Sequence, residues 1–383
     1  MKRTAAGTRF GIALSEAWRA PNPTLRQRAL LTSTAPLSLA YALGTRARNL
    51  AYDNNWFPSR SVSAPVISVG NLTVGGAGKT PVVLAVAERL AGIGHRVAVV
   101  GRGYGGDESD VLVVSDGRGR MCRDAAGDEA VLVASRLDGV VVTGADRYQA
   151  ARKAISLGAT VIVLDDGFQH RRLRRDLEIV VVDSSDPVGN GLPFPMGPLR
   201  EGLAALDRAD IVWLSRVDEK PAHPIRSSAV LRRISSERRC PIVRSRYKPS
   251  LLLDGEGSCK GPAELLRGKR AVAVAGVARP SSFLATLASL EVQVVESRLF
   301  PDHHLFTEKE LASAFDHAES MGALVVTTEK DAVRFPPHRA AEVRVLRVEA
   351  EVVEGEDALL EALQNRGLGF RSPKAPGVDV SEP

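Results

Sequence analysis

Three groups of side chains in this sequence have the types and spacing for phosphate chemistry. The first is Gly75-Gly76-Ala77-Gly78-Lys79-Thr80, with glycines directly ahead of a lysine and a hydroxyl. Backbone N–H groups of such a loop turn towards phosphate oxygens. The lysine then reaches the terminal phosphates and the hydroxyl sits on Mg²⁺. The second is Asp165-Asp166, directly after the apolar run 160–164. An acid at the end of a buried strand, downstream of such a loop, holds Mg²⁺, often through water. The third is Asp128, followed by Glu129, at the head of a helical run. A carboxylate placed there can accept the proton of an attacking hydroxyl. Two acids in a first turn also suit the helix dipole, so capping and catalysis both fit Asp128 at this level.

The elements that must position these groups can be read from periodicity. Residues 65–69 form a short Val/Ile-rich run, the pattern of a buried parallel strand. A small-residue loop spans 71–78, and the apolar run 82–90 opens a helix. Strand, glycine loop and helix in this order make a P-loop, with Thr73, Val74, Gly75, Gly76, Ala77, Gly78, Lys79 and Thr80 as the phosphate cradle. The strict pattern has glycine at the position of Thr73; Gly75 and Gly76 supply the flexibility instead. Further strands are expected at 97–100, 111–114, 140–142, 178–182 and 211–214. Arg147 falls in the first turn of a helix over 145–157, where the dipole disfavours a cation; a bound anion or plain solvent would each account for it. Arg171, Arg172, Arg174 and Arg175 cluster after Gln169 and His170, as a solvated face or as an anion site. Residues 189–201 form a Pro/Gly-rich loop with apolar side chains, suited to a groove or hinge. Ser215-Arg216-Val217-Asp218 echoes a guanine-reading motif, with arginine where lysine is needed.

Length, 383 residues, and 44% hydrophobic content suit two globular domains. Residues 219–270 read as an irregular, basic connection. A second α/β unit then covers 271–365, and 366–383 reads as a disordered tail. The His303-His304 pair in its loop is not linked to the P-loop by any spacing. The expected fold class is α/β: a P-loop NTPase-type parallel sheet flanked by helices over 61–218, with a second, smaller α/β domain and an N-terminal membrane-associating helix within 1–60. In that segment residues 29–43 carry no charge and are flanked by Arg26, Arg28, Arg46 and Arg48. The run is shorter than the roughly 20 apolar residues a spanning helix needs. It fits a helix lying in a membrane interface or one packed on the protein's own core. A net charge of +6 favours an anionic partner. With 5% aromatic content and no basic array interleaved with rings, nucleic acid is the weakest candidate among such partners. Three scattered cysteines give neither a metal-ligand spacing nor a disulfide framework.

Taken together and in order, the motifs resemble the tetraacyldisaccharide 4′-kinases of lipid A biosynthesis over about residues 29–334. They are Gly70-Asn71-Leu72-Thr73 with the P-loop, Arg102-Gly103-Tyr104-Gly105, Gly127-Asp128-Glu129 and Asp165-Asp166-Gly167 with Gln169-His170. Further on come Arg175-Asp176, Gly189-Asn190-Gly191, Gly197-Pro198-Leu199-Arg200-Glu201, Pro301-Asp302-His303 and Thr328-Glu329-Lys330-Asp331-Ala332. Phe194-Pro195-Met196 departs from the family's usual Leu-Pro-Ala. The resemblance implies an ATP- and Mg²⁺-dependent kinase at the cytoplasmic face of the bacterial inner membrane. Its substrate would be the 4′-hydroxyl of a tetraacylated glucosamine disaccharide 1-phosphate, with no obligate protein partner. It implies Asp128 as base, hydrogen-bonded by His303, with Lys79, Thr80, Asp165 and Asp166 on phosphates and metal. Glu201 would stand near the metal, Arg147 and Arg200 would face phosphate, and Gln169 and His170 would line the site. A P-loop GTPase or ATPase switch would use the same Lys79, Thr80 and Asp166, without need of the His303 loop.

Overall fold

The computed structural model describes residues 5–20, 22–103, 111–119, 122, 126–221, 223–237 and 240–369. The Tyr104-Gly105-Gly106 segment and most of the expected tail lie outside them.

Three helices open the chain: α1 (Ala5–Arg19), α2 (Leu25–Ser33) and α3 (Ala35–Asp53). Thr24 and Gln27 cap α2 reciprocally. The uncharged run 29–43 is not one helix: it is divided at Thr34 between the end of α2 and the start of α3, and Pro36 marks the second start. It sits in the first turn of α3, where its missing N–H is harmless.

The first α/β half follows. Its elements are β1 (Val66–Asn71), α4 (Lys79–Gly92), β2 (Val97–Gly101), β3 (Leu112–Asp116), α5 (Asp128–Arg136), β4 (Val140–Thr143), α6 (Arg147–Ser156), β5 (Val161–Asp165), β6 (Leu177–Asp183) and β7 (Ile211–Ser215). The strands lie in the order β7-β6-β1-β5-β2-β4-β3, all parallel except β3 at the edge. Both faces of this sheet are covered, which is why β1, β4 and β6 are buried at every position and rich in Val and Ile. On one face α4 brings Val82, Val83, Val86 and Leu90 against Ile67, Val99 and Val163. On the other, Ala150, Ala151 and Ala154 let α6 approach Ala98, Val142 and Ile162 closely.

The second half contains α7 (Pro224–Glu237), β8 (Ile242–Asp254), β9 (Cys259–Pro262), β10 (Arg270–Ala275), α8 (Pro280–Ser289), β11 (Gln293–Leu299), α9 (Glu308–Ser320), β12 (Leu324–Thr328), α10 (Glu329–Ala332), β13 (Arg344–Glu354) and α11 (Glu356–Gln364). Two features differ from the sequence reading. The stretch read as an irregular connection carries α7 and the 13-residue strand β8. β8 pairs with β7 at its start and with β13 along its length, so both halves share one 13-stranded sheet. Its basic appearance comes from a half-exposed ribbon in which Arg244 faces Glu354, while Arg246 and Lys248 face Glu351. Cross-strand charge pairs of this kind have no apolar signature in sequence. In addition, α11 does not stay with the second half: Leu359 and Leu363 pack into the core of the first.

Candidate active site

The carboxyl ends of β1, β5, β2 and β4 open on one edge of the sheet, the edge where ligands bind in open α/β folds. The glycine loop leaves β1 there. Gly75 and Gly78 adopt left-handed φ values of 105° and 78°, which turn the loop into the start of α4. Lys79 is the first residue of that helix. Its Nζ lies 3.2 Å from Asn71 Oδ1 and 3.3 Å from Asp166 Oδ1.

Asp165 ends β5 beside Val69 of β1. Burial raises its carboxyl to about 7, and the nearby charges of Glu129 and Asp166 add to the rise; Lys79 and Arg147 offset it only in part. Asp166 behaves oppositely. Burial disfavours its charge, but Lys79 and Arg200 outweigh that and hold the carboxyl well below the usual range. Both Asp166 oxygens accept from Arg200 Nη1, at 2.9 and 2.8 Å, and the residue takes a left-handed φ of 55°. Gln169 joins this group, donating to the Asn71 carbonyl (3.0 Å) and accepting from Arg200 (3.3 Å).

Arg200 reaches the site because the 189–201 loop pairs with the P-loop. Val74 N donates to Pro198 O and Arg200 N to Leu72 O, both at 2.7 Å. The other side of the same loop receives the N-terminal helices. Trp18 Nε1 donates to Pro195 O (3.0 Å) and Ser38 Oγ to Pro193 O (2.7 Å). Phe194 meets the rings of Trp18 and Tyr41 edge-on, and Met196 packs into the same cluster. The Phe-Pro-Met departure from the family pattern thus packs against this chain's own α1 and α3.

Arg147, the first residue of α6, is buried and donates to the carbonyls of Gly144 and Ala145. It is not a solvated surface residue; its charge acts on both Asp165 and His170. Burial, with Arg147 and Arg175 beside it, lowers His170 to about 4, so the ring is neutral at pH 7. Glu201 is a correction. Expected near the metal, its carboxylate instead takes Arg208 at 2.7 Å and Asn49 at 2.6 Å, with Arg48 at 3.6 Å. Arg48, one of the arginines flanking the uncharged run, reaches this carboxylate while remaining partly exposed. Glu201 ties α3 to the sheet. Glu201→Gln should therefore lower thermal stability, by about 2 kcal/mol, and leave the Mg²⁺ dependence of activity unchanged. A rightward shift in the Mg²⁺ titration would restore the metal role. Arg216 of the guanine-like echo is likewise structural. It is buried against Asp183 and stacks over the Tyr247 ring at 4.6 Å.

The second half closes the site. His303, in a left-handed φ of 61°, brings Nδ1 to 2.9 Å from Asp128 Oδ2, across 175 residues of sequence. The N-cap of α5 is Gly127; Asp128 is the first helical residue, and its Oδ1 accepts from Glu129 N at 3.0 Å. Burial raises the Asp128 carboxyl, but His303, Lys330 and Arg334 together bring it below its ordinary value. The hydrogen bond to Asp128 raises His303. His304, by contrast, is structural: it stacks on Phe300 at 4.5 Å and bonds Glu310 at 3.0 Å. Three groups escaped the reading from spacing. Lys330 bridges Glu129 (3.0 Å) and Asp302 (3.2 Å), and Arg334 Nε lies 3.6 Å from Asp128. Asp331, fully buried, pairs with Arg334 and accepts from Gly276 N. The signal for them was Thr328 capping a short helix at Asp331, which reads as local structure only.

A phosphate cradle on a parallel sheet, acids at the next strand end and a carboxylate–imidazole pair facing them define a P-loop phosphotransferase. The profile described as Tetraacyldisaccharide-1-P 4′-kinase matches residues 30–367, and the chain belongs to that family. A tetraacyldisaccharide 4′-kinase of Anaeromyxobacter dehalogenans (strain 2CP-C) is 49% identical over 357 residues, 90% of this chain and 93% of that one. One from Syntrophus aciditrophicus is 41% identical, covering 84% and 88%. The crystal structure of LpxK from Aquifex aeolicus in complex with ATP superimposes with a TM-score of 0.73 at 30% identity, over 89% of this chain and all of that one. The switch-protein alternative falls with this result.

Proposed function

We propose that this site moves the γ-phosphate of ATP onto the 4′-hydroxyl of a tetraacylated disaccharide 1-phosphate, with Asp128 as proton acceptor. The observation that carries the assignment is the 2.9 Å His303–Asp128 contact, which joins the second half to the helix beside the phosphate cradle. Phosphoryl transfer asks little covalent chemistry of a protein. It needs an oriented nucleophile, a place for its proton and charge to hold the phosphates. Asp128 takes the first two roles, with His303 fixing one of its oxygens. Lys79 and the loop N–H groups from Gly75 to Thr80 hold phosphate, and Arg200 and Arg147 add positive charge at the same edge. Gln169 and His170 line it.

Mg²⁺ fits the donors present. Among the described residues no group of three His, Cys, Asp or Glu side chains could hold a metal. Mg²⁺ asks for less: one or two carboxylates, waters and substrate phosphates. Asp165, buried beside Glu129 and Asp166, is a carboxyl short of positive charge. With Thr80 it is the best-suited protein ligand, and Asp166 is engaged by Lys79 and Arg200. The ion would neutralise charge developing on the transferred phosphoryl group. Incubation with radiolabelled ATP, Mg²⁺ and the acylated disaccharide tests the whole reading; label retained in ATP or released only as phosphate would refute it.

The same reading places the protein on a membrane surface. No helix among the described residues is long and apolar enough to cross a membrane. Yet α3 exposes Leu37, Leu39 and Leu43 at 62%, 63% and 59%, and Leu25 of α2 and Trp56 are more exposed still. One side of α3 binds the protein through Ser38 and Asn49; the other presents leucines with Arg46 nearby. An interfacial helix has this composition, and a substrate with several acyl chains remains in the bilayer. Leu39→Asp/Leu43→Asp should weaken sedimentation with phosphatidylethanolamine–phosphatidylglycerol vesicles about a hundredfold, from the burial of two leucines. Undiminished vesicle binding would remove α3 from the interface.

A further inference from the structure

Lys330 sits where its three N–H bonds meet three acceptors, one from α5 and two from the His303 loop. Its Nζ lies 3.0 Å from Glu129 Oε1 of α5, 3.2 Å from Asp302 Oδ1 and 3.4 Å from His303 Nε2. An ammonium group has donors only. The ring nitrogen facing it must therefore offer a lone pair, which leaves the imidazole hydrogen on Nδ1, 2.9 Å from Asp128 Oδ2. The position of the proton thus follows from the geometry of the far side of the ring.

We propose that Lys330 is a positioning residue that holds His303 as the neutral Nδ1–H tautomer and so keeps Asp128 available to take the sugar hydroxyl's proton. This rests on Asp128 being the base. Were His303 doubly protonated, Asp128 would be locked in an ion pair and would be a poorer acceptor at the moment of transfer. The charges around the ring pull in both directions. Asp128 on α5 favours imidazolium, as does Asp302 of the same loop, whose Oδ2 lies 3.7 Å from Nε2. Lys330 opposes it from α10. Arg334, just beyond α10, faces the Asp128 carboxylate rather than the ring, and Glu129 neutralises part of the Lys330 charge. Burial disfavours a charged Lys330, but Glu129, Asp302 and Asp128 push it up to about 12, so it remains an ammonium throughout the working pH range.

The sign follows. His303 titrates above its ordinary value, so the neutral, productive ring dominates above that midpoint and is lost as pH falls through it. Removing the Lys330 charge removes a brake on imidazolium formation and moves the midpoint further up, by about one pH unit. The test uses the full chain with ¹⁵N-labelled histidine, His303 being assigned by loss of its resonances in His303→Gln, together with pH profiles of kcat/KM. In the wild type, Nε2 should resonate as an unprotonated nitrogen above the ring's titration midpoint, with the hydrogen on Nδ1. Lys330→Met should populate Nε2–H and raise the ring's titration midpoint. The acid limb of kcat/KM should follow, with about a tenfold deficit on that limb that closes as pH rises. Lys330→Arg should keep the wild-type limb, because guanidinium is also donor-only. Glu129→Gln removes a carboxylate that offsets the Lys330 charge and leaves the ammonium on the ring; it should move the midpoint and the limb downward, opposite in direction to Lys330→Met. An unmoved ring in Lys330→Met overturns the proposal, as does a deficit equal at every pH or a limb that stays put while the ring shifts. The base assignment fails separately, by full activity of Asp128→Asn.

Discussion

Asp128→Asn should lower kcat by about 10²- to 10⁴-fold, the span that a positioned proton acceptor contributes, while leaving ATP binding close to wild type. The substitution is near-isosteric. The amide has one oxygen where the carboxylate has two, so it can accept from His303 Nδ1–H or from Glu129 N but not from both, at a cost of about 1 kcal/mol that the fold around the site should survive. What disappears is the anion that can receive the hydroxyl proton. Asp128 stays ionised to unusually low pH, since His303, Lys330 and Arg334 outweigh its burial. Such a carboxylate orients and accepts at a late stage rather than pulling the proton early, which suits a loose phosphoryl-transfer transition state. Single-turnover transfer to the lipid, alongside nucleotide binding by fluorescence, separates the two quantities. A kcat within a few-fold of wild type would assign the base elsewhere.

The second large effect should come from Gly78→Ala. Gly78 has φ of 78°, where an L side chain costs about 1–2 kcal/mol. A Cβ built there would meet Tyr247 Oη at 2.0 Å. The tyrosine cannot easily retreat: its hydroxyl is enclosed and its ring lies under Arg216, which is itself held by Asp183. The loop would have to move instead, carrying the N–H groups and Lys79 off the phosphates. A displacement near 1 Å costs on the order of 10²-fold in rate, so kcat/KM for ATP should drop by about that factor. Tyr247→Phe supplies the internal control. Its hydroxyl is buried without a hydrogen-bond partner among the described residues, so its removal alone should be close to neutral. In Gly78→Ala/Tyr247→Phe the nearest remaining ring atom lies 3.1 Å from the new Cβ, and about half of the lost activation energy should return. Equal defects in single and double variants would place the damage in the backbone conformation alone.

The two predictions draw on different layers of information. The P-loop, the Asp165-Asp166 pair and the α/β alternation are local signals. Each depends on residues within about ten positions of one another, where backbone geometry and side-chain period are set by neighbours in sequence. The helix-opening Asp128 was equally visible, although its two readings could not be parted until a partner was seen opposite it.

The sequence by itself therefore determined the kind of chemistry, the parallel sheet and, through the order of its motifs, the kinase family. Only the tertiary structure decided which charges meet. β8 and β13 pair across about a hundred residues and run the two halves into one sheet, so the loop carrying His303 and the short helix carrying Lys330 both reach α5. The same long-range packing set Glu201 against Arg208 and Arg48, away from the metal role expected of it. It also covered Phe194 and Met196 with α1 and α3. The physical reason is that an ion pair or hydrogen bond depends on separation in space. A chain's local pattern specifies which elements form, and the distance between their side chains is fixed only when those elements pack.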